Sequence, residues 1–133
     1  MLKRLPVSTN TREQFVDITA EVAAAIREAG VTSGTVTVFV PHSTAAITIN
    51  ENADPSVVGD LLKGLTEIAP HRTAYYRHRE GNSDAHLKAS LIGPSERVII
   101  EDSEPLLGTW QGIYFCEFDG PRSRQLWIKI SSD

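Results

Sequence analysis

Three histidines, His42, His78 and His86, carry side chains that in neutral form offer a lone pair to zinc and similar ions. A catalytic zinc site takes three protein ligands and keeps one position open to water, so these three would suffice. Their spacing matches neither HExxH nor CxxC, and only the fold can assemble them. His71 follows Pro70 at a predicted helix end, where an imidazolium complements the helix dipole. In PHSTAAITINENADP, Glu51 has small and polar neighbours rather than obvious ion-pair partners. It is therefore the carboxylate best suited to general acid-base work. Arg122 and Arg124 alternate after the turn Asp119-Gly120-Pro121. Such a pair on one strand face suits forked recognition of phosphate or carboxylate oxygens, and suits equally an ion pair with the chain's own acids. Gly108 and Gly112 bracket Trp110 and Gln111, placing an indole where it can anchor a core, an interface or a substrate. Cys116 alternates with apolar residues and packs as a small hydrophobe.

The elements that must position these groups can be read from periodicity and punctuation. Leu2 to Ser8 reads as an edge strand, because Pro6 cannot donate to a central ladder. Phe15 to Ile18 reads as a short second strand. Ile18, Val22, Ala25, Ile26 and Ala29 recur at helical spacing, with Thr19 as a start signal and Gly30 as a C-terminal cap. Thr35 to Val40 and Ala45 to Asn50 read as strands on either side of the corner that holds His42. Asp54 and Pro55 open a second helix whose apolar face is Val57, Val58, Leu61, Leu62 and Leu65. Residues 69 to 84 are irregular and polar, a loop length usually tied to function or disorder. From Ser83 or Asp84 to Leu91 a short helix competes with a strand, and Gly93 and Pro94 end either. Val98 to Ile100, Ile113 to Phe118 and Gln125 to Ile130 complete seven or eight strands and two or three helices. The fold class is α+β with a mostly antiparallel sheet system.

A chain of 133 residues can close a core without disulfides or a structural metal, and no repeat or linker divides it. One domain spanning 1–133 is expected. The net charge of −4 argues against a general nucleic-acid binder, and no apolar run is long enough for a membrane span. No secretory signal opens the chain, and a single cysteine cannot form an internal disulfide. A cytoplasmic location is expected.

Three segments, TVTVFVPHSTAAITINENADP, HREGNSDAHLKASLIGPS and LGTWQGIYFCEFDGPRSR, in this order and over nearly the full chain, resemble the YjbQ-like family. That family is also labelled secondary thiamine-phosphate synthase. His42 is followed by Ser43 and Thr44, where the reverse hydroxyl order is common in the family. The resemblance implies a compact α+β domain of packed sheets, a homotrimer with sites near subunit boundaries, and metal binding by the histidine motifs. His42, His78 and His86 would hold a divalent ion. Three imidazoles suit zinc or another transition metal better than magnesium, which prefers carboxylates and water. Glu51 would be catalytic, while Asn50, Asn82, Arg122 and Arg124 would bind a small anionic or phosphorylated molecule. The implied reaction joins a pyrimidine diphosphate to a thiazole phosphate and releases pyrophosphate. Metal-assisted hydrolysis of another substrate, or a trimer that only binds metal or an anionic metabolite, would use the same residues.

Overall fold

The computed structural model describes residues Met1–Asp133 and contains eight strands and three helices. In chain order these are β1 (Leu2–Ser8), β2 (Gln14–Asp17), α1 (Thr19–Ala29), β3 (Ser33–Phe39), β4 (Ala45–Glu51) and α2 (Pro55–Ile68). Then follow α3 (Ser83–Ile92), β5 (Ser95–Glu101), β6 (Glu104–Pro105), β7 (Gln111–Glu117) and β8 (Ser123–Ser132). The strands form a five-stranded sheet, ordered β1-β8-β3-β5-β6, and a three-stranded sheet, ordered β2-β7-β4. Every pairing is antiparallel, as the α+β expectation required. β1 lies at a sheet edge, where Pro6 costs no ladder bond.

Alternation along β7 explains the layering. Ile113 and Phe115 point to one side, joining Val36, Val38, Leu126, Ile128 and Ile130 of the large sheet and Val22 and Ile26 of α1 in the main core. Tyr114 and Cys116 point to the other, packing with Leu65 of α2 and Ala85 and Ala89 of α3 in a second core. The small sheet is thus a middle layer buried on both faces, which is why β7 reads as a continuous apolar run. No helix is long and apolar enough to cross a membrane.

Several local expectations are refined. α1 does end on Gly30 in the left-handed region, but Thr19 does not cap its start. Asp17 Oδ1 accepts from the Thr19 backbone and hydroxyl, and Thr19 Oγ1 accepts instead from Ile113 N at 2.9 Å. Asp54 caps α2 through Ser56 N at 2.9 Å, with Pro55 in the first turn. The segment from Ser83 is a helix. Its pattern was ambiguous because its buried face is partly charged, with Asp84 and Lys88 both fully buried. Arg12 grips Asp84 with two bonds of 3.0 Å, and Lys88 Nζ lies 2.6 Å from Glu13 Oε1, so ion pairs dock α3 onto the segment before β2. β6 has no apolar pattern of its own. It forms a tight hairpin with β5 through Asp102 and Ser103, both at positive φ.

Candidate functional site

The end of β3 fixes the first histidine. Its ladder with β8 stops at the pair Phe39 and Trp127. Beyond that point Gln125 N has no strand partner and donates to His42 Nε2 at 2.9 Å. Burial, then the nearby charge of Arg124, lowers the His42 pKa, which favours the neutral ring. In a neutral imidazole that accepts at Nε2, Nδ1 carries the hydrogen. No lone pair is left for an ion.

His78 and His86 come together. The first sits in the irregular segment after α2 and the second in α3, with ring centroids 5.3 Å apart, edge to face. That segment is held by its own polar contacts. His71 Nε2 donates to Gly81 O at 3.2 Å and Tyr76 Oη donates to Pro70 O at 2.7 Å. His71 therefore ties the loop rather than joining a ligand set.

His86 forms a wall common to three cavities. One, of about 500 Å³, is bounded by Tyr75, Tyr76 and Leu87 and shares both His78 and His86. A second, of about 220 Å³, has a wholly polar lining that includes His78, His86, Glu80, Asn82, Arg122 and Arg124. The third, of about 240 Å³, is where His42 and His86 face a common space.

The arginines enter the polar cavity already engaged. β8 begins at Ser123, so Arg122 belongs to the preceding turn and only Arg124 lies on the strand. Arg122 donates from Nε to Asp119 O at 2.7 Å and from Nη2 to Asp119 Oδ2 at 2.9 Å. Arg124, buried on the inner face of β8, donates from Nε to Glu117 Oε1 at 2.8 Å and from Nη2 to Glu117 Oε2. It also donates from Nη2 to Thr44 Oγ1 at 2.9 Å. These contacts use Nε and Nη2 of each guanidinium, so Nη1 is the end left over for a ligand. Burial pushes the Glu117 and Asp119 carboxyls up, but hydrogen bonds and the arginine charges outweigh it, and both pKa values are lowered.

Asn82 is buried in the polar wall and donates from Nδ2 to Asp119 Oδ2 at 2.7 Å and to Glu80 Oε2 at 3.3 Å. Glu51 and Asn50 are elsewhere. Six residues of strand separate Glu51 from Ala45, a distance of about 20 Å at roughly 3.3 Å per residue. The fold of one chain does not bring either residue to the histidines. Glu51 O accepts from Tyr114 Oη at 3.2 Å, and Asn50 Oδ1 accepts from Glu51 N at 2.7 Å. Trp110, at 63% exposure, stands in solvent rather than in a core.

A three-imidazole metal site therefore does not fit this chain as folded, because His42 Nε2 is occupied by a backbone donor. No group of three His, Cys, Asp or Glu side chains converges to hold an ion. Sequence reasoning assigned no site role to Glu117, Asp119, Glu80 or the two tyrosines. Glu80 had a signal in its place between His78 and Asn82, and the tyrosines had one as adjacent aromatics in a long polar segment.

Comparison with known proteins gives the same fold. The model of the UPF0047 protein YjbQ-like family matches residues 3–133. The UPF0047 protein YugU of Bacillus subtilis is 52% identical over 130 residues, covering 98% of each chain. A UPF0047 protein of Methanocaldococcus jannaschii is 53% identical over 133 residues, covering 100% of this chain and 96% of its own. A Clostridium acetobutylicum crystal structure, described as an uncharacterized conserved protein of the YjbQ/UPF0047 family, superposes with a TM-score of 0.95 at 52% identity, covering 97% and 99% of the two chains. A Sulfolobus solfataricus YbjQ-like protein of unknown function superposes with a TM-score of 0.95 at 31% identity, covering 100% and 97%. With its layers and nearly its whole length matched, the chain belongs to the UPF0047 YjbQ-like family.

Proposed function

We propose that this protein is an enzyme acting on a small phosphorylated molecule, with its anionic head in the polar cavity and its apolar body between Tyr75, Tyr76 and Leu87. The observation that carries this reading is the pairing of His78 and His86 on the wall shared by a polar and an aromatic cavity. Imidazoles move protons near neutral pH, and two of them at one boundary can give and take a proton on either side of a reacting bond. The Nη1 ends of Arg122 and Arg124 supply charge-assisted donors for the head. Condensation of a pyrimidine diphosphate with a thiazole phosphate is one reaction of this kind. The family resemblance supports it, and the departing pyrophosphate is the group the arginines would steady.

The reading carries a homotrimer in the cytoplasm. Glu51 and Asn50 stand far from the histidines of their own chain, so a neighbouring copy is what would bring them to a cavity. Exposed Trp110 and half-exposed Phe39 supply apolar surface for such contacts.

The test is pyrophosphate release from the two precursors, with particle mass measured by light scattering in the same buffer. Wild type should turn over as a particle of three chains, and His86→Ala should lose about 100-fold or more, the usual scale for a proton-transfer group. Turnover unchanged in both His86→Ala and His78→Ala would place the chemistry elsewhere. No release by wild type would remove the condensation reaction and leave only the anion site.

A second reading is favoured by the same ring separation: His78 and His86 hold a divalent ion, zinc or another transition metal, with further ligands from a neighbouring copy. It makes the protein a metal binder and gives no role to His42.

A further inference from the structure

The polar cavity has more acceptors than an anion site needs. Glu80 and Asp119 line it, and an ionised carboxylate only accepts hydrogen bonds. Counting Glu117 behind Arg124, three carboxylates stand against the two guanidinium groups of Arg122 and Arg124, which are each already bonded to one of them. Asn82 adds another acceptor. Its Nδ2 is committed to Glu80 and Asp119, which fixes the amide orientation, and its Oδ1 is buried with no donor. A tetrahedral anion whose oxygens are all acceptors would meet the Glu80 carboxylate acceptor to acceptor. One that keeps a proton would donate it there in a short, charge-assisted bond.

We propose that this cavity selects an oxyanion that brings its own donor, hydrogen phosphate or a phosphate with a hydroxyl or amino group beside it, over one that brings none. The inference rests on the anionic-head reading above and narrows it. Inorganic phosphate keeps at least one proton at neutral pH and sulfate keeps none, while the two ions share shape and nearly share size. They therefore separate selection by proton from selection by fit.

Calorimetric titration of the full chain with sodium phosphate and with sodium sulfate, at equal ionic strength and neutral pH, tests it. Phosphate should bind at least about tenfold more tightly, the scale of one hydrogen bond to a charged group. Glu80→Gln replaces one acceptor with a donor, and a side chain 67% exposed can be changed without loss of the fold. In that variant the preference should fall to within about threefold, chiefly through better sulfate binding. Equal binding of the two ions by wild type, or an unchanged preference in Glu80→Gln, overturns the proposal. Failure of wild type to bind either ion is a different result, because it takes down the anionic-head reading itself.

Discussion

Replacing Glu117 with glutamine should cost the protein about 3–5 kcal/mol, although one oxygen is all that changes. Ile113, Phe115 and Glu117 alternate onto the inner face of β7, and Arg124 shares the inner face of β8 with Leu126 and Ile128. The pair is thus a clamp between the two sheets at one end of the main core. Glu117 is fully buried, and each of its oxygens takes two donors. Oε1 accepts from Thr9 Oγ1 and Arg124 Nε, both at 2.8 Å, while Oε2 accepts from Arg124 Nη2 and from Asp119 N at 3.1 Å. A glutamine amide, whichever way it turns, sets N–H groups against two donors, keeps only one of the two Arg124 bonds and leaves the buried guanidinium without its counter-charge. For a chain of 133 residues the expected loss corresponds to a fall in Tm of about 10–18 °C. Urea denaturation followed by circular dichroism measures it. Glu117→Met with Arg124→Met should recover at least about half the loss, since both charges leave together. The lowered Glu117 pKa fixes the pH behaviour. Its contribution is complete above the ordinary carboxylate value and disappears as pH falls through the lower folded value. A cost below about 1 kcal/mol for Glu117→Gln, or simple additivity of the two methionine substitutions, would refute the clamp.

His42 should act with the same sign as that carboxylate but at higher pH, since its folded pKa lies below the ordinary 6.5, through burial and the charge of Arg124, against the smaller pull of Glu117. Between the two values the unfolded chain binds the extra proton, so stability should rise with pH there, and His42→Asn should flatten that slope in melts taken from pH 5 to 7. A slope unchanged in the variant would show that other groups set it. Protein purified without an affinity tag should hold less than one ion per chain by elemental analysis if His78 and His86 serve acid-base chemistry alone. A full ion per chain, lost in His86→Ala, would favour the metal-binding reading.

Where residues alternate cleanly between apolar and polar, the sequence was legible. β3, β4 and β8 lie where β-branched and aromatic runs predicted them, as does β7 with its continuous apolar run, while α1 ends at Gly30 and α2 starts at Asp54 as their signals required. α3 is legible only as a helix in competition with a strand, because Asp84 and Lys88 occupy positions where an amphipathic helix carries apolar residues. Charges replace apolar contacts on that face, and hydrophobic periodicity cannot register an ion pair with residues some 70 positions away. The same blindness applies to the site. His78 and His86 were picked out by type and nearness, but Glu117 sits in an apolar run where it reads as the end of a strand. Nothing in the spacing of Arg122 and Arg124 says that each already has a carboxylate. The alternative reading of those arginines, as structural ion pairs, is what the geometry shows for Nη2 of Arg122 and for Nε and Nη2 of Arg124.

The division of labour between apolar and ionic contacts also says where the site is most sensitive. The two sheets are joined through a wide apolar core that tolerates volume-conserving change. His86, by contrast, rides on a helix docked by Arg12 to Asp84 and by Lys88 to Glu13, in addition to the small contacts of Ala85 and Ala89. Asp84 keeps its charge because the Arg12 bonds and charge outweigh the burial that would raise its pKa. Removing Arg12 would take both of its hydrogen bonds from buried Asp84, leave Lys88, 3.6 Å away, as its remaining counter-charge, and let the helix shift, moving His86 without touching it. A displacement of about 1 Å at a proton-transfer group can cost about 100-fold in rate. On the acid-base reading of the histidine pair, the residues that position it would therefore include a shell of ion pairs outside all three cavities.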